Sequence, residues 1–251
     1  MGQRRDREEQ LRRAIIAVQQ RWGSHALHRA NAAGPAANNH VLPSGFQEVD
    51  HVLGLGGLPR GRFTELVGSG TAGQFSLAAR TLGLAQRMGQ QAAYVDLRHA
   101  VDLDGLARCG VSFDSLVILR PLSFQHALEM TRDLLRGGGV SVVIFDRIHA
   151  VSLLAEGDCL HKLDRAMREW NSILHRSLCT FIFLTETTPS CTYPPAIPLP
   201  HFASLRLSFA WQGWLYRGPR VVGFASEVTV LKNRAGPSGR SALIEVIVAS
   251  P

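Results

Sequence analysis

Lysine is almost absent from this chain of 251 residues: only Lys162 and Lys232 occur, so arginine supplies nearly all of the positive charge. No apolar run approaches the ~20 residues that a membrane-spanning helix needs, which excludes a helical membrane protein. None of the four cysteines forms a CxxC pair, which argues against a zinc site. The charged start lacks the apolar stretch of a secretory signal peptide. We therefore expect a cytoplasmic protein without membrane contact or a bound metal.

The composition is that of a folded domain, with 45% hydrophobic and 19% charged residues. The length suffices for one domain with a substantial core. The formal net charge of +7 favours phosphate-rich partners, because cationic side chains release counterions from them. An arginine-rich surface that only faces solvent explains the same charge, so composition leaves both interpretations open.

Two parts of the chain are predicted: an N-terminal helix with a linker at residues 1–41, and a core domain at residues 42–251. Within residues 5–22, apolar side chains recur at three- and four-residue spacing, which indicates an amphipathic helix: Leu11, Ile15, Val18 and Trp22. Residues 31–40 are small and polar, as in a linker. The helix must bury its apolar face on its own core or on a neighbouring subunit, so self-association through it is left open.

Strand and helix patterns alternate in the core domain. Strands are predicted at residues 63–67, 91–96, 116–119, 140–146 and 180–185, and helices at 74–88, 102–109, 123–136 and 160–176. This alternation is typical of an α/β doubly wound, mainly parallel sheet. A proline-rich loop is expected at 189–200. Further strands at 202–209, 211–217, 228–232 and 241–248 predict an antiparallel C-terminal extension.

The segment GSGTAGQF at residues 68–75 joins a predicted strand to a predicted helix, which is where a phosphate-binding loop lies. Gly68 and Gly73 have the spacing of the motif GxxxxGK[ST]. Gln74 stands where the motif has the lysine that reaches the phosphates. Phe75 stands where it has the hydroxyl that holds Mg²⁺. Taken alone, the segment is better explained as a tight glycine turn.

Further motifs surround this loop in a fixed order. LPSGFQEVD at 42–50 and GGLPRGRFTE at 56–65 precede it, and YVDLRHAVD at 94–102, VVIFD at 142–146, FASLRL at 202–207 and VLKNR at 230–234 follow it. In order and spacing, residues 42–248 resemble the RecA recombinase family. The N-terminal helix resembles the RecA helix that docks on the adjacent protomer. The resemblance implies a RecA-like fold with an ATP site.

The resemblance also identifies losses in the ATPase machinery. Arg98 replaces the catalytic glutamate and cannot polarise a water molecule, whereas Asp146 matches the aspartate that faces the metal. Thr185 and Glu186 replace the asparagine and glutamine that sense the γ-phosphate. We therefore expect no catalytic residue, no hydrolysis, and at most weak binding of ATP and Mg²⁺. The degenerate nucleotide site comprises Gly68, Gly73, Gln74, Phe75, Arg98 and Asp146.

A second part of the family's machinery is retained. Lys232 and Arg234 match the two basic residues that reach the nucleotide of the neighbouring protomer, and Phe202 matches an aromatic residue of that interface. These trans-interface residues would let the chain complete the site of a genuine RecA subunit. Solvated charges at the end of a strand explain the two cations equally well.

Contact with DNA has weaker support in the sequence. The regions that match the family's DNA loops, near residues 155–160 and 189–200, are short, and the second is rich in proline. Trp211, Trp214 and Tyr216 could stack on bases, but aromatic residues in strands more often belong to the core. Single-stranded DNA therefore stays an open partner.

A RecA relative with a degenerate ATP site, and no room for the family's C-terminal domain, resembles the ImuA group of accessory proteins in damage-induced mutagenesis. The resemblance implies a non-hydrolysing adaptor in DNA repair and SOS-induced translesion synthesis. Its partners would be RecA, an error-prone DNA polymerase module, or both. The alternatives are a residual DNA-dependent ATPase or recombinase that binds single-stranded DNA, and a regulatory protein of cell division without a DNA role.

Overall fold

The computed structural model describes residues 40–146, 158–187 and 198–248, together with residues 9, 13, 14, 16, 17, 20 and 21. The chain divides into two compact units, Met1–Asn38 and Asn39–Pro251. The described residues of the first unit are helical and exposed, and Arg13 forms an ion pair of 3.2 Å with Glu9. The predicted apolar face of this helix lies outside the described residues: Leu11, Ile15, Val18 and Trp22. No helix in the described parts of the chain is both long and apolar enough to cross a membrane.

The second unit alternates strands and helices. Its elements are β1 (Val41–Leu42), α1 (Gln47–Leu53), β2 (Leu58–Pro59), β3 (Arg62–Ser69), α2 (Gln74–Arg87), β4 (Gln91–Asp96), α3 (Leu103–Arg108), a 3₁₀ turn (Phe113–Ser115), β5 (Leu116–Leu119), α4 (Phe124–Gly137), β6 (Val140–Asp146), α5 (Cys159–Ser177), β7 (Thr180–Thr187), α6 (Leu199–Phe202), β8 (Leu205–Arg217), β9 (Arg220–Asn233) and β10 (Ser241–Ile247). Helix α4 begins after Ser123, whose hydroxyl accepts a hydrogen bond from the backbone N–H of His126.

Eight strands form one sheet in the order β10-β9-β8-β3-β7-β6-β4-β5. The six strands from β8 to β5 run parallel, whereas β9 pairs antiparallel with both β8 and β10. The predicted α/β fold, with a mainly parallel sheet and an antiparallel C-terminal extension, is confirmed. Because parallel strands end at the same edge of a sheet, the segments after β3, β4, β6 and β7 meet there.

The C-terminal strands correct four details of the sequence-based expectation. Phe202 ends helix α6 and does not begin a strand, and residues 205–217 form one strand instead of two, with an irregular register between Trp211 and Gly213. Strand β8 also pairs parallel with β3, so it extends the parallel part of the sheet. Strand β9 is longer than predicted because the continuous β8 pairs with it along its length. Most of the predicted loop, residues 189–197, lies outside the described residues.

The central strands β3, β7, β6 and β4 are buried on both faces. One hydrophobic cluster packs α1 and α2 on the sheet, and the other packs α4 and α5 on the opposite face. In the second cluster, Trp170 of α5 stacks on Phe181 at 5.5 Å between ring centroids and contacts Phe145 at 6.0 Å. Such pairs stabilise by about 0.5–1.5 kcal/mol each beyond their buried area. The strands that carry the site are therefore held by a rigid aromatic core.

Candidate functional site

A cavity of about 210 Å³ lies at the sheet edge where the parallel strands end. The glycine loop after β3, the segments after β4 and the ends of β6 and β7 contribute to its wall, with Gly70, Gln74, Phe75, Tyr94, Asp146 and Glu186 among the lining residues. The fold thus brings Gly73, Gln74, Phe75 and Asp146 of the predicted nucleotide site together.

The side chain of Gln74 forms a hydrogen bond within the glycine loop. Its Nε2 donates a hydrogen bond of 2.6 Å to the carbonyl oxygen of Gly70, and its side chain is buried. A methyl group on Gly68 would lie 2.5 Å from Gln74 Oε1, so the amide packs directly against the bare backbone there. Gly73 has a φ of 105°, which favours glycine at the start of α2. A neutral amide, engaged by its own loop, therefore replaces the ammonium group that would reach a phosphate.

Phe75 packs toward helix α3. A methyl group on Gly105 would lie 2.9 Å from Phe75 Cε1, and the ring lies partly buried against the first hydrophobic cluster. Gly105 is also the residue whose N–H donates to Asp102 Oδ1 at 2.7 Å, which caps α3. Position 75 thus contributes an apolar wall and has no hydroxyl for a metal.

Tyr94 holds the carboxylate of Asp146. The fully buried tyrosine in β4 donates from its hydroxyl to Asp146 Oδ2 at 2.8 Å, across the pairing of β4 with β6. The hydroxyl of Tyr94 therefore donates a hydrogen bond to the Asp146 carboxylate, which the apolar ring of Phe75 cannot do. In the described parts of the chain, no group of three His, Cys, Asp or Glu side chains is placed to hold a metal ion. The residues present do not fit a magnesium triphosphate.

Arg98 lies outside the cavity wall. It is exposed in a turn after β4 that is fixed by Asp96, a buried carboxylate. Asp96 accepts hydrogen bonds from the N–H groups of Ala100 at 3.0 Å and Val101 at 3.3 Å, and forms an ion pair of 3.6 Å with Arg120. The turn is therefore ordered by Asp96. Arg98, at the position of the family's catalytic glutamate, brings no hydrogen-bond acceptor to the cavity wall.

A buried ionic network lies beneath Thr185. Glu65 of β3 has no exposed surface, and its carboxylate accepts hydrogen bonds from Thr185 Oγ1 at 2.9 Å and from Arg206 Nε at 2.5 Å. The register of β3 with β7 and β8 places the three residues on neighbouring strands. The network thus connects Thr185, the predicted sensor position, to Arg206 of β8, which pairs with Lys232 of β9.

The trans-interface residues lie together at the opposite edge of the sheet. Lys232 Nζ donates to the carbonyl oxygen of Pro200 at 2.6 Å, and Arg234 Nη2 donates to that of His201 at 2.8 Å. These carbonyls belong to the short helix α6, which Phe202 ends. Burial lowers the pKa of Lys232, and the nearby cations Arg234 and Arg206 lower it further. The predicted cations are therefore engaged within their own chain.

Three aromatic residues that were expected in the core are exposed. The exposed fractions of Trp211, Trp214 and Tyr216 are 48%, 54% and 63%. Trp211 and Trp214 meet edge to face at 5.7 Å, near the end of the β8–β9 hairpin, where Arg217 pairs with Arg220. The core interpretation is wrong here because, among the described residues, the buried part of β8 ends at Phe209 and the strand beyond it is mostly exposed.

The roles of Tyr94 and Glu65 were not predicted from the sequence. A charged residue within an otherwise apolar strand was the available signal for Glu65, because a buried carboxylate requires a partner. The bond from Tyr94 to Asp146 joins residues 52 positions apart and depends on the order of β4 and β6 in the sheet. No local pattern marks it.

Comparison with known proteins agrees with this architecture. The RecA N-terminal domain family matches residues 9–250. Protein RecA of Symbiobacterium thermophilum is 30% identical over 252 residues, which cover 93% of this chain and 72% of that protein. Protein RecA of Geobacter sulfurreducens is 30% identical over 92% of this chain and 74% of its own length, and that of Methylococcus capsulatus is 29% identical over 96% and 75%. With this match over nearly its whole length, the chain belongs to the RecA N-terminal domain family.

Proposed function

We propose that this chain is a non-hydrolysing RecA-like accessory protein in DNA repair, an ImuA-like adaptor or modulator in SOS-induced translesion synthesis. Its proposed partners are RecA and an error-prone DNA polymerase module. The observation that carries the proposal is the bond from Gln74 to Gly70, because it fills the phosphate loop with an amide of the chain itself.

At the positions where the family carries its groups for ATP hydrolysis, this chain has residues with different chemistry. Gln74 brings no charge to the phosphates, Phe75 brings no metal ligand, and Arg98 is a cation in place of the base that would orient water. Preorganised charge supplies most of the rate in phosphoryl transfer, so these changes remove the main source of catalysis. A fold without turnover can still act by binding.

The retained cations support action on a RecA filament. Phe202, Lys232 and Arg234 occupy the positions that would face the nucleotide of the next protomer, on the edge opposite the degenerate loop. An asymmetric subunit of this kind completes a site in trans but offers none of its own. It would therefore cap or modulate a filament and not extend it as an ATPase.

We expect the purified protein to show no Mg²⁺-dependent ATP turnover, with or without single-stranded DNA, and to change the turnover of the host's RecA when the two are mixed. The Lys232→Gln/Arg234→Gln double variant should lose the effect on RecA. The Arg87→Gln/Arg240→Gln variant removes the same charge at exposed positions outside the site and should keep it.

Turnover by the protein alone that disappears in Asp146→Asn would show that the chain is an ATPase and overturn the proposal. An unchanged RecA rate at saturating protein would overturn the adaptor role.

The exposed aromatic residues favour a second candidate function, direct binding of single-stranded DNA. Trp211 and Trp214 are about half exposed and lie near the paired Arg217 and Arg220, a combination that suits stacked bases and their phosphates. A residual DNA-dependent ATPase or recombinase would use such a surface.

Replacing Trp214 with alanine should then weaken binding of oligothymidine by about tenfold or more, since one stacked base contributes about 1–3 kcal/mol. Fluorescence anisotropy at several salt concentrations measures the effect, and Leu243→Ala, an exposed apolar residue of β10, is the control. Equal affinities of Trp214→Ala and the unchanged protein would exclude this surface as a DNA site.

A further inference from the structure

A groove of about 560 Å³ lies at the sheet edge opposite the degenerate loop. We call it the arginine groove, since its wall includes Arg60, Arg62, His175, His201, Phe202 and Arg234. Arg62 begins β3 and Gly68 lies near its end, so the groove and the loop are separated by roughly 20 Å of strand. No aspartate or glutamate is among the described residues that line it.

The guanidinium groups of the groove contact only neutral groups in the described parts of the chain. Arg60 donates to the carbonyl oxygen of Val41 and to Gln90 Oε1, at 3.3 and 3.0 Å. Arg62 donates to the carbonyl oxygen of Gly61 at 2.9 Å, and its Nη1 lies 2.5 Å from His175 Nδ1. Each guanidinium carries five N–H donors, so both retain donors for a further acceptor.

His175 lines the same groove and contacts Arg62. Burial and the adjacent Arg62 lower the pKa of His175, which favours the neutral imidazole beside that guanidinium. The groove thus concentrates positive charge, and its described lining residues include no carboxylate. An anionic ligand would supply the missing acceptors, and arginine pairs with carboxylates in bidentate geometry.

The groove offers no platform for a nucleic acid base. Phe202 is the one phenyl or indole ring among the described lining residues. Arg168 lies over it, with the guanidinium carbon 5.6 Å from the ring centroid, and His201 meets it in a T-shaped contact at 5.2 Å between centroids. Exposed aromatic side chains lie at the β8–β9 hairpin instead. Charge without a stacking surface favours carboxylates over single-stranded nucleic acid.

We propose that the arginine groove binds an acidic segment of a partner protein, with Arg60 and Arg62 as its main carboxylate-binding residues. The inference rests on the proposed adaptor function in that it assigns a docking surface for a protein partner. It needs neither ATP nor RecA, so it can be tested separately.

The test measures binding of a fluorescein-labelled polyglutamate peptide by anisotropy, with oligothymidine of the same formal charge in parallel. We expect saturable peptide binding that falls by about tenfold or more in Arg60→Gln/Arg62→Gln, since two charge-assisted contacts are lost. The charge-matched Arg87→Gln/Arg240→Gln variant should bind the peptide as the unchanged protein does. Because Arg60 also bonds to β1, Arg62→Gln alone provides a second variant if the double variant unfolds.

Two results would overturn the inference. Equal losses in the groove variant and the charge-matched variant would mean that only net charge attracts the peptide. A loss of oligothymidine binding with unchanged peptide binding would assign the groove to nucleic acid. A RecA effect that persists when peptide binding is absent would leave the proposed function intact.

Discussion

Replacing Glu65 with alanine is expected to lower the free energy of unfolding by about 3–5 kcal/mol, because it leaves the Arg206 guanidinium without its buried carboxylate. Glu65 has no exposed surface, and the side chain of Arg206 is 18% exposed, so water cannot easily replace the lost partner. Thr185 also loses the acceptor of its hydroxyl. Urea denaturation followed by circular dichroism measures the change.

Two further variants separate the causes. Glu245→Ala removes an exposed carboxylate from β10 and should change stability by less than about 0.5 kcal/mol. Glu65→Leu/Arg206→Met replaces both partners with apolar groups and should recover most of the loss. A Glu65→Ala protein that loses less than about 0.5 kcal/mol, the range of ordinary surface substitutions, would contradict the buried network.

The second large effect concerns nucleotide affinity. Gln74→Lys/Phe75→Thr is expected to raise the affinity for ATP with Mg²⁺ by at least about tenfold, because one charge-assisted contact contributes about 1.5–3 kcal/mol. The lysine would also remove the amide that bonds to Gly70. Isothermal titration measures affinity, and turnover should stay absent because position 98 remains arginine.

Gln125→Lys is the matched control, since it adds one positive charge on the exposed face of α4. It should leave ATP affinity unchanged. If Gln125→Lys gains as much as the loop variant, the gain comes from net charge. If Gln74→Lys/Phe75→Thr gains no affinity for ATP, the backbone shape of the glycine loop no longer fits the phosphates, and restoring the two side chains is not sufficient.

The fold could be predicted because its signals are local. Apolar runs separated by helical periods indicate parallel strands, and the glycine spacing around the loop identifies the first crossover. The C-terminal hairpin was less predictable, since the strand β8 has both a covered and an uncovered part. Whether Trp211 is buried depends on where the helical layer ends, and no pattern within the strand records that.

The candidate site likewise has features that the sequence predicts and features that it does not. The identities at positions 74, 75 and 98 indicate lost chemistry from the motif alone. What replaced it could not be predicted: the return of Gln74 to Gly70 and the bond from Tyr94 to Asp146 are tertiary arrangements of side chains. Sequence shows which groups are missing, and the packing shows which contacts took their place.

Lys232 and Arg234 already bond to the carbonyl oxygens of α6, through Nζ to Pro200 and through Nη2 to His201. These bonds leave N–H donors on both cations, because an ammonium group has three donors and a guanidinium group five. In the proposed contact in trans, an anion would therefore add to these bonds and would not have to displace them. Helix α6 would hold both side chains in place beforehand, so that binding costs less side-chain entropy than binding to two unrestrained cations.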